Sequence, residues 1–250
     1  MVYQLAIGPD VNVQDISEWY VFNTRIQRIT GEGFHATSYS DFADMHAAFE
    51  TDGVDLVYAN AADTSWLVRK RGFIPVAAAA GISTEMTIAV ANDSPLSSVD
   101  DIGDSLTVAA TDAPDVERIG RILLEPTDLS PEAIKVEHRP NPVLVAKAVI
   151  NGETQVGFFP QDAFENLSKL VSRELRVLIA SHIYVIHHNF LASPKIAHLV
   201  EPLWRGLEAM NTSPVDQDLN EALGAPNGWR RLESEEVEFQ IDMMDALADL

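Results

Sequence analysis

The segment Ala59 to Thr64 carries a first group of side chains suited to bind a small molecule. Asn60, Asp63 and Thr64 supply an amide, a carboxylate and a hydroxyl, and they follow the apolar run Val54 to Tyr58. Such a run is typical of a parallel strand that is covered on both faces. Ligands of open α/β sheets lie at the carboxyl ends of these strands, so the pattern predicts a binding loop here.

Imidazoles cluster between residues 182 and 188, at His182, His187 and His188. On a strand His187 and His188 point to opposite faces, and His182 and His188 lie too far apart to share one ion. The chain also has no cysteine, which excludes thiolate zinc sites, and with the histidines so placed we expect no metal site. Tyr184 and His187 are instead predicted to face a ligand.

Aromatic residues offer a possible stacking box for a planar solute; they are Tyr39, Tyr58, Phe158, Phe159 and Tyr184. Ordinary packing between sheet and helix accounts more simply for Tyr58 and Phe158. Phe159 precedes Pro160 at a predicted strand end, which makes it the better candidate for ligand contact.

Motifs of catalysis are missing from the chain. It contains no G-x-S-x-G, no phosphate-binding glycine loop and no H-E-x-x-H. Glu85 with His138, or Asp63 with His187, remains a candidate acid and base pair. We therefore expect a binding protein rather than an enzyme, and we expect no cofactor.

Short apolar runs and helical periodicity alternate along the chain, which indicates an α/β fold. Strands are predicted at Tyr3 to Gly8, Phe34 to Tyr39, Val54 to Tyr58, Phe73 to Ala80, Met86 to Ala91, Leu106 to Ala110, Ile134 to His138, Gln155 to Phe159 and Leu175 to Ala180. Helices are predicted from an Asn12 cap to Gly31, from a Ser40 cap to near Gly53, over Trp66 to Arg71, from Pro114, over Val143 to Ile150, from Gln161 to about Val171, from Ser193, over Asp218 to Leu223 and from Ser234.

The stretch Gly81 to Pro95 predicts a passage from one lobe to another, because the strand Met86 to Ala91 is bounded by polar turn residues. A β-rich run from Ser181 to Asn189 predicts the return. Two crossings make a two-lobed protein, with residues 1–84 and 188–250 in lobe one and residues 85–187 in lobe two.

The negative charge of the chain disfavours two classes of binding partner. The chain has 38 acidic and 17 basic residues, a net charge of −21, which opposes binding to nucleic acid or an anionic membrane. No apolar run is long enough to span a membrane, so we expect no insertion of the chain into a membrane. We expect a periplasmic location if a signal peptide has been removed, and otherwise a cytoplasmic one.

Sequence motifs in order along nearly the whole chain carry a family resemblance. They are Gly53 to Ala61 (GVDLVYANA), Asn92 to Gly103 (NDSPLSSVDDIG), Val136 to Pro142 (VEHRPNP) with Ala148 to Phe158 (AVINGETQVGF), and Leu223 to Trp229 (LGAPNGW). With these, the chain resembles the phosphonate-binding group of type 2 periplasmic solute-binding proteins.

The resemblance implies a two-lobed type 2 periplasmic-binding-protein fold. Each lobe would be a mixed, mostly parallel sheet with helices on both faces, and the lobes would close about two hinge crossings on a small organic molecule. It implies ligand contacts from Tyr39, Asn60, Asp63 and Thr64 in lobe one and from Thr111, Asp112, His138, Arg139, Phe159, Gln161 and Asp162 in lobe two; Tyr184 and His187 join them from the crossing.

One loop departs from the family pattern. Phosphonate binders have a loop rich in Ser and Thr where this chain reads Thr111-Asp-Ala-Pro-Asp. Pro114 lacks an amide donor, and the carboxylates of Asp112 and Asp115 would repel an anion from the helix N-terminus. We therefore expect a neutral, cationic or zwitterionic solute rather than a phosphonate.

Partners and alternatives follow from the same resemblance. A solute-binding protein delivers its ligand to an ABC transporter permease or to a sensor protein. Related two-lobed folds also serve cytoplasmic enzymes of cofactor biosynthesis, which is the alternative function. An acidic module that binds a basic protein is a third possibility.

Overall fold

The structure, a computed structural model, describes residues 2–11 and 15–248, with side chains described to residue 246. The chain folds into two compact units. The first comprises residues 1–83 and 187–242, and the second comprises residues 84–186 and 243–250. Asn12, the predicted helix cap, lies outside the described residues.

Strands and helices alternate along the chain. The strands are β1 (Val2–Ile7), β2 (Gly33–Ser38), β3 (Leu56–Ala59), β4 (Ile74–Ala79), β5 (Met86–Ala91), β6 (Leu106–Ala110), β7 (Ile134–His138), β8 (Val156–Pro160), β9 (Leu175–Ala180), β10 (Asn189–Ala192) and β11 (Trp229–Arg231). The α-helices are α1 (Ile16–Thr30), α2 (Phe42–Glu50), α3 (Ala61–Arg71), α4 (Pro114–Leu124), α5 (Pro142–Ile150), α6 (Gln161–Glu165), α7 (Lys169–Ser172), α8 (Val200–Met210), α9 (Gln217–Ala222) and α10 (Ser234–Ala248).

The sheet of the first unit has the order β11-β4-β10-β3-β1-β2. β1 is parallel to β2 and β3, whereas β10 is antiparallel to β3 and β4, and β11 is antiparallel to β4. Ile7 pairs with Ser38, and Ala59 pairs with Asn189 at the start of β10. The segments after β1, β2 and β3 and before β10 therefore lie at one edge of this sheet.

The sheet of the second unit has the order β7-β6-β8-β5-β9. β6 is parallel to β7 and β8, and β5 is antiparallel to β8 and β9. Ala110 pairs with His138, and Met86 pairs with Pro160. The segments after β6, β7, β8 and β9 and before β5 consequently share one edge. The predicted α/β fold with two mixed sheets is confirmed.

Apolar residues at helical spacing bury one face of the longer helices against the sheets. In the first unit, Trp19, Phe22 and Ile26 of α1 are buried against the sheet, and the Trp19 and Phe190 rings lie 6.0 Å apart. α1 ends where Gly31 adopts the left-handed conformation at φ 72°, which glycine adopts without steric cost. No helix in the described part of the chain is long and apolar enough to cross a membrane.

Several predicted element bounds are wrong for local reasons. Residues 181–188 form no strand, and the strand begins only at Asn189. The helix predicted from Gln161 to Val171 is interrupted, because the Ser168 side chain accepts a hydrogen bond from the Val171 amide and starts α7. Asp41, not Ser40, caps α2. The short strand β11 was not predicted from the sequence.

The sequence predicted two passages of the chain between units, and the terminal helix α10 forms a third. It begins in the first unit, and its residues from 243 belong to the second. There the Arg118 guanidinium donates to the Met244 carbonyl at 3.3 Å. The chain thus passes between the units at 83/84, 186/187 and 242/243.

Gly120 of α4 should not tolerate a side chain. A Cβ at this position would lie 2.3 Å from Cδ2 of the buried Phe158 ring. We expect Gly120→Ala to lower the free energy of unfolding by about 1–3 kcal/mol through overpacking, less any gain in helix propensity of up to ~1 kcal/mol. Urea denaturation measures the change. Gly103→Ala is the control in the same unit, because nothing lies within 4 Å of its Cβ position; equal stability of both variants would contradict the tight contact.

Candidate functional site

Polar side chains form a hydrogen-bonded chain at the carboxyl edge of the first sheet. His188 Nε2 lies 3.0 Å from Asp10 Oδ2, and Asn60 Nδ2 lies 3.4 Å from the same oxygen. Asn60 Nδ2 also donates to Asp63 Oδ2 at 2.9 Å, and Asp63 Oδ1 lies 2.7 Å from His46 Nε2. The Asn60 amide thus links two carboxylates, and each carboxylate also contacts an imidazole.

Asn60 places this group by capping α3. Its side-chain oxygen accepts the Asp63 amide at 2.9 Å, so the helix begins at Ala61 and not at Trp66 as predicted. Asp63 and Thr64 therefore lie within the helix and are buried, and Thr64 Oγ1 accepts from Asn189 Nδ2 at 3.0 Å. The predicted binding loop is thus a helix start, and its polar groups already have partners in the protein.

Charge and burial shift the pKa values of this edge. Burial raises the pKa of Asp10, but the hydrogen bond and charge of His188, with the hydrogen bonds from the backbone and from Asn60, together lower that pKa overall. Burial, reinforced by the charge of Asp10, raises the pKa of Tyr58. The hydrogen bond that His46 donates to the Asp63 carboxylate raises the pKa of His46. The Asp10 carboxylate therefore stays ionised in this surrounding.

Tyr39 follows β2 at the same edge. Its amide donates to the Ile7 carbonyl at 3.0 Å, which extends the pairing of β1 and β2, and its side chain is partly exposed. Burial and then the charge of Asp44 raise the pKa of its hydroxyl. The Tyr39 hydroxyl is therefore a neutral group at this edge.

The loop after β6 has the geometry of an uncapped helix start. Ala113 occupies the cap position of α4 without a side-chain hydrogen bond, and Pro114 is the first helical residue. Asp112 is exposed and does not cap the helix, while Asp115 in the first turn is buried. Thr111 is partly exposed. A carboxylate in the first turn occupies the positive end of the helix dipole.

Carboxylates lie beside both basic candidates at the end of β7, His138 and Arg139. Arg139 donates to Glu137 and Glu153 at 3.2 Å each, and the hydrogen bond with Glu137 raises the pKa of its guanidinium. His138 is exposed, with Nε2 3.5 Å from Glu117 Oε2. The Arg139 amide donates to Ala110, which sets this loop beside Thr111.

Glu85 connects two further candidates. Its carbonyl accepts the Gln161 amide at 2.8 Å, and its carboxylate accepts the Tyr184 amide at 2.7 Å. The same carboxylate accepts the Ile183 amide at 2.9 Å and the Ser181 hydroxyl. Glu85 thus binds the segment 181–184, which the sequence predicted as part of a β-rich run and which forms no strand. Gln161 also donates to Glu165 at 2.9 Å, and Asp162 beside it is exposed.

Two predicted ligand contacts are buried inside their units. Phe159 is fully buried against Phe164, with ring centroids 5.3 Å apart, so it is a core residue and the prediction of ligand contact is corrected. His187 is buried with Nε2 3.0 Å from both Glu236 and Arg230, and burial lowers its pKa. Neither side chain is accessible to a solute in this structure.

The proposed acid and base pairs are not formed. Asp63 contacts His46 and not His187, and Glu85 binds residues 181–184 and not His138. His182, His187 and His188 have separate surroundings, since His182 stacks on Tyr184. Among the described residues, no three or more His, Asp or Glu side chains are arranged to hold a metal ion.

Asp10, His46 and His188 were missed as site residues from the sequence. Asp10 follows the first strand in the same way as Asn60 follows the third, and this signal could have identified it. His46 and His188 carry no such signal, because their partners Asp63 and Asp10 lie 17 and 178 residues away.

The sequence over residues 5–236 matches the model of a protein family described as ABC transporter, phosphonate, periplasmic substrate-binding protein. No curated protein matches the sequence significantly.

Solved structures resemble the fold over almost the whole chain. PhnD1 of Prochlorococcus marinus in complex with methylphosphonate has a TM-score of 0.81 at 11% identity, covering 100% of this chain and 99% of that one. XAC2383 of Xanthomonas citri bound to ATP has a TM-score of 0.79 at 13% identity, with 99% and 98% covered. The aliphatic sulphonate binding protein SsuA of Escherichia coli has a TM-score of 0.70 at 14% identity, with 99% and 92% covered. At such low identity these likenesses show the fold alone.

The pair of His46 and Asp63 should stabilise the protein in a pH-dependent manner. Because the pKa of His46 is raised in the folded state, its contribution is fully present below the unfolded pKa of about 6.5 and is lost as pH rises through the folded value. We expect His46→Gln to lower the free energy of unfolding more at pH 5.5 than at pH 8.5, by no more than about 1 kcal/mol because the side chain is partly exposed.

Urea denaturation at both pH values measures this difference. His35→Gln, at an exposed position of β2, is the control and should change little at either pH. The same loss at pH 5.5 and pH 8.5 for His46→Gln would show that charge on the imidazole contributes nothing.

Proposed function

The chain belongs to the family of periplasmic phosphonate substrate-binding proteins of ABC transporters, and on that premise we propose that it captures a small organic molecule for an importer or a sensor protein. The observation that carries the proposal is the match of the family model to residues 5–236. The contacts that we propose are polar groups at the edges where the parallel strands of each sheet end.

Accessible polar groups at one edge of each sheet support this proposal. In the first unit Tyr39 lies at that edge, beside the pair of Asp10 and His188. In the second unit Thr111 and Asp112 follow β6, His138 ends β7, Gln161 begins α6 and Tyr184 lies after β9. Each has an exposed or partly exposed side chain. These residues, rather than the buried Asn60, Asp63, Thr64, Phe159 and His187, are the proposed ligand contacts.

The charge of the helix starts favours a solute other than a free dianion. Asp41 caps α2, Asp63 lies in the first turn of α3 and Asp115 lies in the first turn of α4. Carboxylates at these positions satisfy the positive ends of the helices, so a second negative charge there would be repelled. The ligand we propose is neutral, cationic or zwitterionic, in contrast to the methylphosphonate in the complex of the Prochlorococcus marinus protein.

A screen of solutes by thermal shift tests the proposal. Methylphosphonate, phosphate, alkanesulfonates, amino acids, amines and aromatic acids are compared at millimolar concentration. A ligand at a hundred times its Kd stabilises the folded protein by about 2.7 kcal/mol, which raises Tm by several degrees. We expect an amine or amino acid to give the largest shift. A shift confined to the anions would overturn the ligand class, and no shift with any solute would count against capture itself.

Removal of accessible site groups should weaken binding without unfolding the protein. We expect Asp112→Ala and Tyr39→Leu each to raise the Kd of the solute found in the screen about fivefold or more, since a lost charged or aromatic contact costs about 1 kcal/mol or more. Isothermal titration measures Kd, and Tm should stay within about two degrees.

Each of these two variants has a matched control of the same residue type. Asp104→Ala removes an exposed carboxylate before β6, at the opposite end of the strand from Asp112, and Tyr20→Leu removes a tyrosine from the exposed face of α1. Both should leave Kd unchanged. If Asp112→Ala and Tyr39→Leu behave as the controls do, the assignment of the site is wrong.

A further inference from the structure

Tyr184 has three features that ordinary packing does not explain. Its side chain is 69% exposed, and its backbone adopts the left-handed conformation at φ 60°. Its ring stacks on the His182 ring, with centroids 6.0 Å apart and planes inclined by 18°. An exposed aromatic pair with nearly parallel planes presents a flat surface to solvent.

Glu85 enforces this arrangement. Its carboxylate accepts the amides of Ile183 and Tyr184 at 2.9 and 2.7 Å, together with the Ser181 hydroxyl. The residue is fixed in turn at the start of β5, where its carbonyl accepts the Gln161 amide. A left-handed conformation of a bulky residue costs about 1–3 kcal/mol and persists where the surrounding bonds determine it, often at ligand sites.

Two exposed carboxylates lie at this edge of the second unit, where Arg139 is already paired with Glu137 and Glu153. Asp112 and Asp162 are exposed, and they belong to the segments that follow β6 and β8. The face of an aromatic ring attracts a cation, and nearby carboxylates add to that attraction. A flat aromatic surface favours a planar ligand group, because such a group can stack over its whole area.

We propose that Tyr184 and His182 form a platform on which the planar cationic group of the solute stacks, and that Glu85 is the positioning residue for this platform. The proposal rests on the proposed function and names the chemical class of its ligand: a planar organic cation such as a pyridinium or a guanidinium. Glu85 does not contact the solute in this scheme, because its carboxylate is engaged by the segment 181–184.

The probe is 1-methylpyridinium, titrated by ligand-detected NMR against the full chain. We expect Tyr184→Leu to raise its Kd about fivefold or more, whereas Tyr184→Phe, which keeps the ring, should change Kd less than about twofold. Tyr20→Leu, an exposed tyrosine of α1, is the control and should not change Kd. Equal binding to wild type and Tyr184→Leu, or no binding to wild type, would overturn the platform.

A double-mutant cycle tests the positioning role of Glu85. Glu85→Gln should weaken 1-methylpyridinium binding in the wild type by a factor similar to that of Tyr184→Leu, and should cause no further loss in the Tyr184→Leu background. Additive losses would show that Glu85 acts otherwise. Tm measured for each variant verifies folding, and Tyr184→Phe supplies the test of the ring if Glu85→Gln fails to fold.

The outcome also separates this inference from the proposed function. Tetramethylammonium, benzyl alcohol and methylphosphonate are titrated in parallel as a non-planar cation, a neutral ring and an anion. If one of these binds wild type and Tyr184→Leu equally while 1-methylpyridinium does not bind, solute capture stands and the platform is wrong. If no solute in either screen binds, both proposals fall.

Discussion

Because β1, β2 and β3 run in parallel, and β6, β7 and β8 do the same, each sheet gathers the segments that follow its strands at one edge. Parallel strands require a crossover on the sheet face, and here helices provide it. Every helix that follows such a strand therefore begins at this edge. Strand direction thus places helix starts and strand ends together, and the polar groups of both become available to one ligand.

At this edge, the side chains that cap the helices compete with an anion for the same backbone amides. Asn60 and Asp63 satisfy the start of α3 internally, and Asp41 does so for α2. These caps stabilise each helix by about 1 kcal/mol, but they occupy the amides that would otherwise bind a phosphonate. The starts of α2 and α3 thus have side-chain caps, whereas the start of α4 has none.

The sequence predicted most strands within a residue or two, because short buried apolar runs such as Leu106–Ala110 leave little alternative. It could not predict contacts that join distant segments. The segment Ser181 to Asn189 has the composition of a strand, yet Glu85, almost a hundred residues earlier, binds its amides and prevents pairing. The sequence also predicted the wrong cap for α2. Ser40 and Asp41 can both cap a helix, and only the backbone conformation decides between them. In the candidate site, residue types were predicted but burial was not, as Phe159 illustrates.

The position of β10 between β3 and β4 has a consequence for the order of folding during synthesis. Among the described strands, β4 pairs only with β10 and β11, and both are made after the whole of residues 84–186. The ends of that inserted segment already meet, since the Thr84 amide donates to the Ile186 carbonyl at 2.6 Å. Domains fold as units while the chain emerges from the ribosome. The sheet of the second unit is therefore complete while β4 of the first unit still awaits a partner.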